Sequence, residues 1–263
     1  MIQHRVVDGV RLACHVEGDG PPLLLLHGLG GSHDDWRRQF PAFSRDYRVI
    51  APDLRGFGDS ERQEPFTIAQ HARDAVGLLD ALGVGRAHVV GLSMGGAVAM
   101  ELALAEPGRV AGLVLANTAP SFELRGWQRR YMGVSRLLLA LLLGVGGVAR
   151  LFSKAVFPAP HQESLRKRLL ERASHTSRWV YIASLRALVR WDAEQRLSSL
   201  RCPTLVIGAE HDYTDIHEKR RWAAKIPGAR VVMLPGSRHR SELDAPAAFN
   251  DIVRRFLGSL PPP

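Results

Sequence analysis

The sequence predicts an α/β fold built on a mostly parallel sheet with helices on both faces. Three observations predict it: short apolar runs alternate with amphipathic stretches, the apolar runs are unbroken, and they end in Gly, Pro or Asp. Leu23-Leu24-Leu25-Leu26, ended by His27-Gly28, reads as a strand covered on both faces. Tyr47 to Ala51 stops at Pro52 and Asp53. Ala87 to Gly91 follows a helical stretch from Thr67 to Leu82, with Gly83 placed to cap it. Val110 to Ala116, Thr204 to Gly208 and Arg230 to Leu234 are further strands, and Met94 to Ala105 and Ala245 to Leu257 are helical. At the start, Gln3 to Val7 and Arg11 to Glu17 flank Asp8-Gly9, a hairpin signal that predicts an antiparallel pair.

The alternation breaks once. From Thr118 to Ser199 no strand is evident and the pattern is helical, as expected of an insertion that roofs a site at the strand ends. The division expected is a core of residues 1–117 and 200–263 with a helical cap of 118–199. Charge follows the same division. The chain of 263 residues carries +9, and residues 120–200 hold 14 Lys and Arg against 5 Asp and Glu, while the remainder is balanced. No nucleic-acid motif accompanies the surplus, so a solvated helical face is the expectation, with attraction of anionic substrates or lipid headgroups as the alternative. The longest apolar run, Leu137 to Ala149, is 13 residues, too short to span a bilayer. No stable membrane insertion is expected. Cys14 and Cys202 are too few and too lone for a disulfide framework or a metal site. With no leader-like opening, a cytoplasmic protein is the default expectation.

The chemistry centres on Gly91-Leu92-Ser93-Met94-Gly95, a G-x-S-x-G sequence between an apolar strand and a helical pattern. A serine on so sharp a turn needs small neighbours two positions away, which Gly91 and Gly95 supply. The turn leaves the Met94 N–H at a helix start, facing where an oxyanion would form. Such a serine needs a base. Asp212 follows the strand Thr204 to Gly208, and His239 follows the strand Arg230 to Leu234, so both reach the sheet edge that carries Ser93. Glu210 and Asp215 compete for the acid's place, and His211 and His217 for the base's. Asp53 and Asp59 precede the serine and read as turn-stabilising, and the His27 ring reads as structural.

Taken together, His27-Gly28-Leu29-Gly30, Asp53-Leu54-Arg55-Gly56-Phe57-Gly58, the turn at Ser93, Asp212 and His239 resemble the α/β-hydrolase fold superfamily from Gly9 to Leu257. In look the chain is most similar to bacterial carboxylesterases and related serine hydrolases. The resemblance implies an eight-stranded sheet, a helical cap after the sixth strand, a triad of Ser93, Asp212 and His239 that uses no cofactor or metal, and an oxyanion hole from the N–H groups of Leu29 and Met94. Two departures stand out. No proline follows the acid loop at Tyr213-Thr214-Asp215-Ile216, and Arg240-Ser241-Glu242 is unusually charged. Asn117 leaves vacant an acid position that some relatives use.

The expected substrate is a small hydrophobic ester, bound under a cap whose Trp127, Tyr131 and Trp179 lie in sequence beside the leucine run. Lactone opening, perhydrolysis and C–C bond cleavage on the same residues are the alternatives. A non-catalytic binding protein is a third class, disfavoured because a receptor would not need serine, acid and histidine together. The sequence does not fix an oligomeric state.

Overall fold

The computed structural model describes residues 2–122 and 127–263, with side chains described up to 122 and from 134 onward. Eight strands form one sheet: β1 (Ile2–Val7), β2 (Val10–Glu17), β3 (Pro22–Leu26), β4 (Arg48–Pro52), β5 (Ala87–Leu92), β6 (Val110–Ala116), β7 (Thr204–His211) and β8 (Arg230–Arg238). Their order is β1-β2-β4-β3-β5-β6-β7-β8. The β1–β2 and β2–β4 pairs are antiparallel, and the rest are parallel. Asp8 (φ 48°) and Gly9 (φ 78°) make the two-residue hairpin turn.

The central strands are apolar throughout because both faces are covered. Leu24 and Leu26 pack with Val89 and Leu113 on one side, whereas Leu23 and Leu25 pack with Val90 and Val114 on the other. The helices are α1 (Phe40–Phe43), α2 (Ile68–Ala81), α3 (Met94–Ala105), α4 (Trp127–Val156), α5 (Glu163–His175), α6 (Arg178–Arg190), α7 (Ile216–Ala223), α8 (Ser241–Asp244) and α9 (Pro246–Gly258). α2 shows how closely local chemistry sets the ends. Thr67 accepts the Gln70 N–H. At the other end Gly83 (φ 69°) donates to Asp80 O and Val84 to Leu79 O, the paired bonds of a glycine cap.

Helices α4, α5 and α6 fill the interval between β6 and β7 and form the cap. Their own core joins Ala140, Val145 and Val148 to Ala173, Tyr181, Ile182 and Leu185. α4 kinks at Gly144 (φ 67°, ψ 179°). At its far end the cap is tied down by Trp191, whose Nε1–H donates to Glu101 on α3 at 2.8 Å.

The stretch Val134–Val156 is long and apolar enough by length and composition to cross a membrane, but it is two helices joined at the non-helical Gly144 and carries Arg136, Arg150 and Lys154.

Candidate active site

Ser93 stands between β5 and α3 with φ 53° and ψ −117°, a conformation that side chains rarely adopt. It is held from both sides: its N–H donates to Ala116 O at 2.9 Å, and Thr118 Oγ1 donates to its carbonyl at 2.7 Å. The flanking glycines are required by contact. A Cβ on Gly91 would lie 2.7 Å from Gly96 Cα, and one on Gly95 would lie 2.6 Å from the His27 carbonyl oxygen. The His27-Gly28 turn abuts the serine, since a Cβ on Gly28 would be 3.4 Å from Ser93 Cβ. Leu29 N–H, next in that turn, has no acceptor among the described residues. Met94 opens α3, where an N–H has no intrahelical acceptor.

The His27 ring is structural. Nε2 accepts the Leu54 N–H at 2.9 Å, so Nδ1 carries the proton and donates to Gly28 O at 2.8 Å. Asp53 pins its own turn, accepting from His33 N at 2.6 Å and Asp59 N at 2.8 Å.

β7 and β8 bring Asp212 and His239 together: Asp212 Oδ1 lies 2.6 Å from His239 Nδ1. The competitors are used elsewhere. Glu210 accepts the Gly236 N–H, Asp215 caps α7 by accepting from Glu218 N at 2.7 Å, and His211 and His217 are exposed. Burial by itself would raise the Asp212 carboxyl; His239 and Lys219 outweigh it and hold the group below the usual carboxylate range. Lys219, fully buried on α7, was not foreseen as part of the site. Its Nζ donates to Asp212 Oδ2 at 2.7 Å and to Thr214 O at 2.8 Å.

Asn117 directly follows β6. Its Oδ1 accepts from Ala209 N at 2.8 Å, and its Nδ2 donates to His239 O and Ser241 Oγ, both at 2.9 Å. Because Ser93 N is bonded to the adjacent Ala116 O, β6 ties the serine turn to the histidine loop.

The charged Arg240-Ser241-Glu242 also finds its reason. Asp35, wholly buried behind the His27-Gly28 turn, pairs with Arg172 of α5 and, at 2.6 Å, with Arg240. Arg240 pairs in turn with buried Glu242 at 2.6 Å, and Arg172 donates to Gly30 O at 3.1 Å. Two cations and two carboxyls thus join the cap, the turn beside Ser93 and the histidine loop.

Over this floor, the Tyr213 ring lies 4.4 Å from that of His239. The Tyr181 ring covers Gly30, where a Cβ would meet it at 3.4 Å, and its hydroxyl accepts from Arg136 Nε at 2.6 Å. Trp179 does not share that position. It is 70% exposed, whereas its neighbours Val180 and Tyr181 turn inward, so on this helix they and not Trp179 face the core. Trp127 and Tyr131 have side chains outside the described residues.

This fold with a strained serine at the end of β5 defines a class of hydrolase. The chain belongs to the alpha/beta hydrolase fold family, whose model matches residues 21–246. It is 34% identical to the "Putative carbamate hydrolase RutD" of Caulobacter sp. (strain K31), over 97% of this chain and 98% of that one. Among solved structures, it is similar to a hydrolase from Pseudomonas aeruginosa PA01 (33% identity, TM-score 0.87, 98% of each chain). It is also similar to the enol-lactonase from Burkholderia xenovorans LB400 (29% identity, TM-score 0.89, 97% of this chain and 100% of that one).

Proposed function

We propose that the chain cleaves small carboxylic esters through an acyl-enzyme on Ser93. One observation carries the reading: a buried carboxylate, Asp212, is bonded at 2.6 Å to a histidine at the same sheet end as a serine on a left-handed turn. In this mechanism His239 Nε2 takes the Ser93 proton as Oγ attacks the acyl carbon, and Asp212 keeps the Nδ1 proton in place. The N–H groups of Leu29 and Met94 receive the oxyanion. His239 then protonates the leaving alcohol, and water enters by the same route in reverse to release the acid.

Lactone opening on the same residues is the second reading. It is favoured by the guanidinium of Arg136, which sits on Tyr181 beside the Gly30 turn and has no carboxylate partner among the described residues. A cation there suits a substrate with its own carboxylate, and the similarity to an enol-lactonase points the same way.

The test is covalent labelling with a fluorophosphonate, followed by turnover of nitrophenyl esters, lactones, carbamates, diketones and peracid-forming acids. The expected result is a label on Ser93 that Ser93→Ala abolishes, with ester turnover lost by about 10⁴-fold or more. Turnover surviving in purified Ser93→Ala would overturn the proposal. An unlabelled wild type would favour a binding protein.

A further inference from the structure

The two helical halves of α4, joined at Gly144, bury Ala140, Val145 and Val148 in the cap and leave large apolar side chains exposed. Leu138 is 50% exposed, Leu142 77%, Leu143 55%, Leu151 57% and Phe152 41%. Trp179, 70% exposed, follows Arg178, which donates to the Leu141 carbonyl at 3.0 Å. Isolated exposed leucines are ordinary; a run of them along α4 with an exposed tryptophan on α6 marks a surface that something covers.

The charge around the ridge says what. From 134 to 162 the sequence holds Arg136, Arg150 and Lys154 and no Asp or Glu, and Arg136 points inward onto Tyr181. Arg150, Lys154 and Arg178 are exposed among the apolar side chains. Leucine and tryptophan set beside these cations, with the neighbouring Glu163 already paired to Arg166, match the chemistry of an anionic lipid surface: acyl chains for the apolar groups and headgroup phosphates for the cations.

We infer that the cap docks peripherally onto anionic membranes through the exposed ridge of α4 and Trp179. The helix lies on the bilayer and does not cross it. Its inner residues Ala140, Val145 and Val148 are committed to Tyr181, Ile182 and Leu185, and crossing would strip them from the cap. The catalytic core plays no part in the contact, so docking stands or falls independently of the ester reading.

The experiment is sedimentation of the whole chain with sucrose-loaded vesicles of phosphatidylcholine, with and without about 30% phosphatidylglycerol to supply the anionic surface. Wild type should sediment with the anionic vesicles, bind the neutral ones about tenfold more weakly, and dissociate as salt is raised. The double variant Leu142→Gln with Leu151→Gln, both at exposed positions, should lose about tenfold or more in partitioning while its circular dichroism stays that of wild type. Absence of wild-type sedimentation at millimolar anionic lipid would overturn the inference, as would undiminished binding by the double variant. Light scattering adds a third check: a dimer that the double variant dissociates would assign the ridge to a second copy of this chain, and the lipid reading would fall.

Discussion

Lys219 and His239 hold opposite oxygens of one carboxylate: Nζ is 2.7 Å from Asp212 Oδ2, and Nδ1 is 2.6 Å from Oδ1. The lysine reaches this place because α7 starts at the Asp215 cap and because Gly208 opposite it has no side chain. A Cβ there would lie 2.7 Å from Lys219 Cδ.

Removing the lysine leaves a buried carboxylate half-paired. Lys219→Met is expected to cost about 3–5 kcal/mol, the range for breaking one side of a buried ion pair. Urea unfolding at neutral pH measures it, and a loss under about 1 kcal/mol would place the lysine outside the energetics of the site.

The ion pairs around Asp35 predict how the cap is held. Arg172→Met removes the cap's hold on Asp35 and Gly30 while leaving the Arg240–Asp35 pair intact. The expected outcome is a KM raised about tenfold with kcat changed far less, since a bond of this kind is worth about 1.5–3 kcal/mol. Hydrogen exchange across Glu163–His175 should rise with it. Unchanged exchange and KM together would mean that the cap is seated by apolar packing alone.

Asn117 predicts a different signature. Asn117→Ala removes the bonds to His239 O, Ser241 Oγ and Ala209 N, and forces alanine into a φ of 45°. Loss should fall on kcat, about 10- to 100-fold, because the histidine loop is displaced while the ester's contacts with the cap are kept. A change confined to KM would contradict the positioning role.

The strands, the serine turn and the cap's place in the chain were legible because each depends on local pattern: unbroken apolar runs, glycines about Ser93, one long interval without strands. Lys219 was not legible. It lies on a helix of mean polar character, and only the missing Cβ of Gly208 on a neighbouring strand lets it turn inward. The same holds for Asp35, Arg172 and Arg240, which lie up to 205 residues apart and become one group only when the cap closes. Their one trace in the sequence was the excess charge of Arg240-Ser241-Glu242. Trp179, expected under the cap as a substrate contact, lies on the outer face of α6 because the inward face belongs to Val180 and Tyr181.

Acidification should unfold the protein in two separable windows. His71 is wholly buried and neither ring nitrogen has a hydrogen-bond partner among the described residues; His88 is 2% exposed with its Nδ1 likewise unpartnered among them. Burial lowers both to about 4. The folded state therefore prefers the neutral rings, and their stability contribution is complete above the unfolded value of about 6.5 and lost as pH falls from there toward 4. A drop of that size is worth about 3 kcal/mol per ring at pH 4. Asp212 and Asp35 act lower down. In both, burial opposes ionisation, but His239 with Lys219, and Arg172 with Arg240, hold the carboxyls below their ordinary range, so their contribution persists until pH falls below about 4. Urea midpoints at pH 7.5, 5 and 3.5 separate the two. His71→Leu should flatten the slope between 7.5 and 5 and leave the steeper fall below 4 in place. If the variant keeps the wild-type slope in the upper window, the imidazole is not excluded from water as its burial requires.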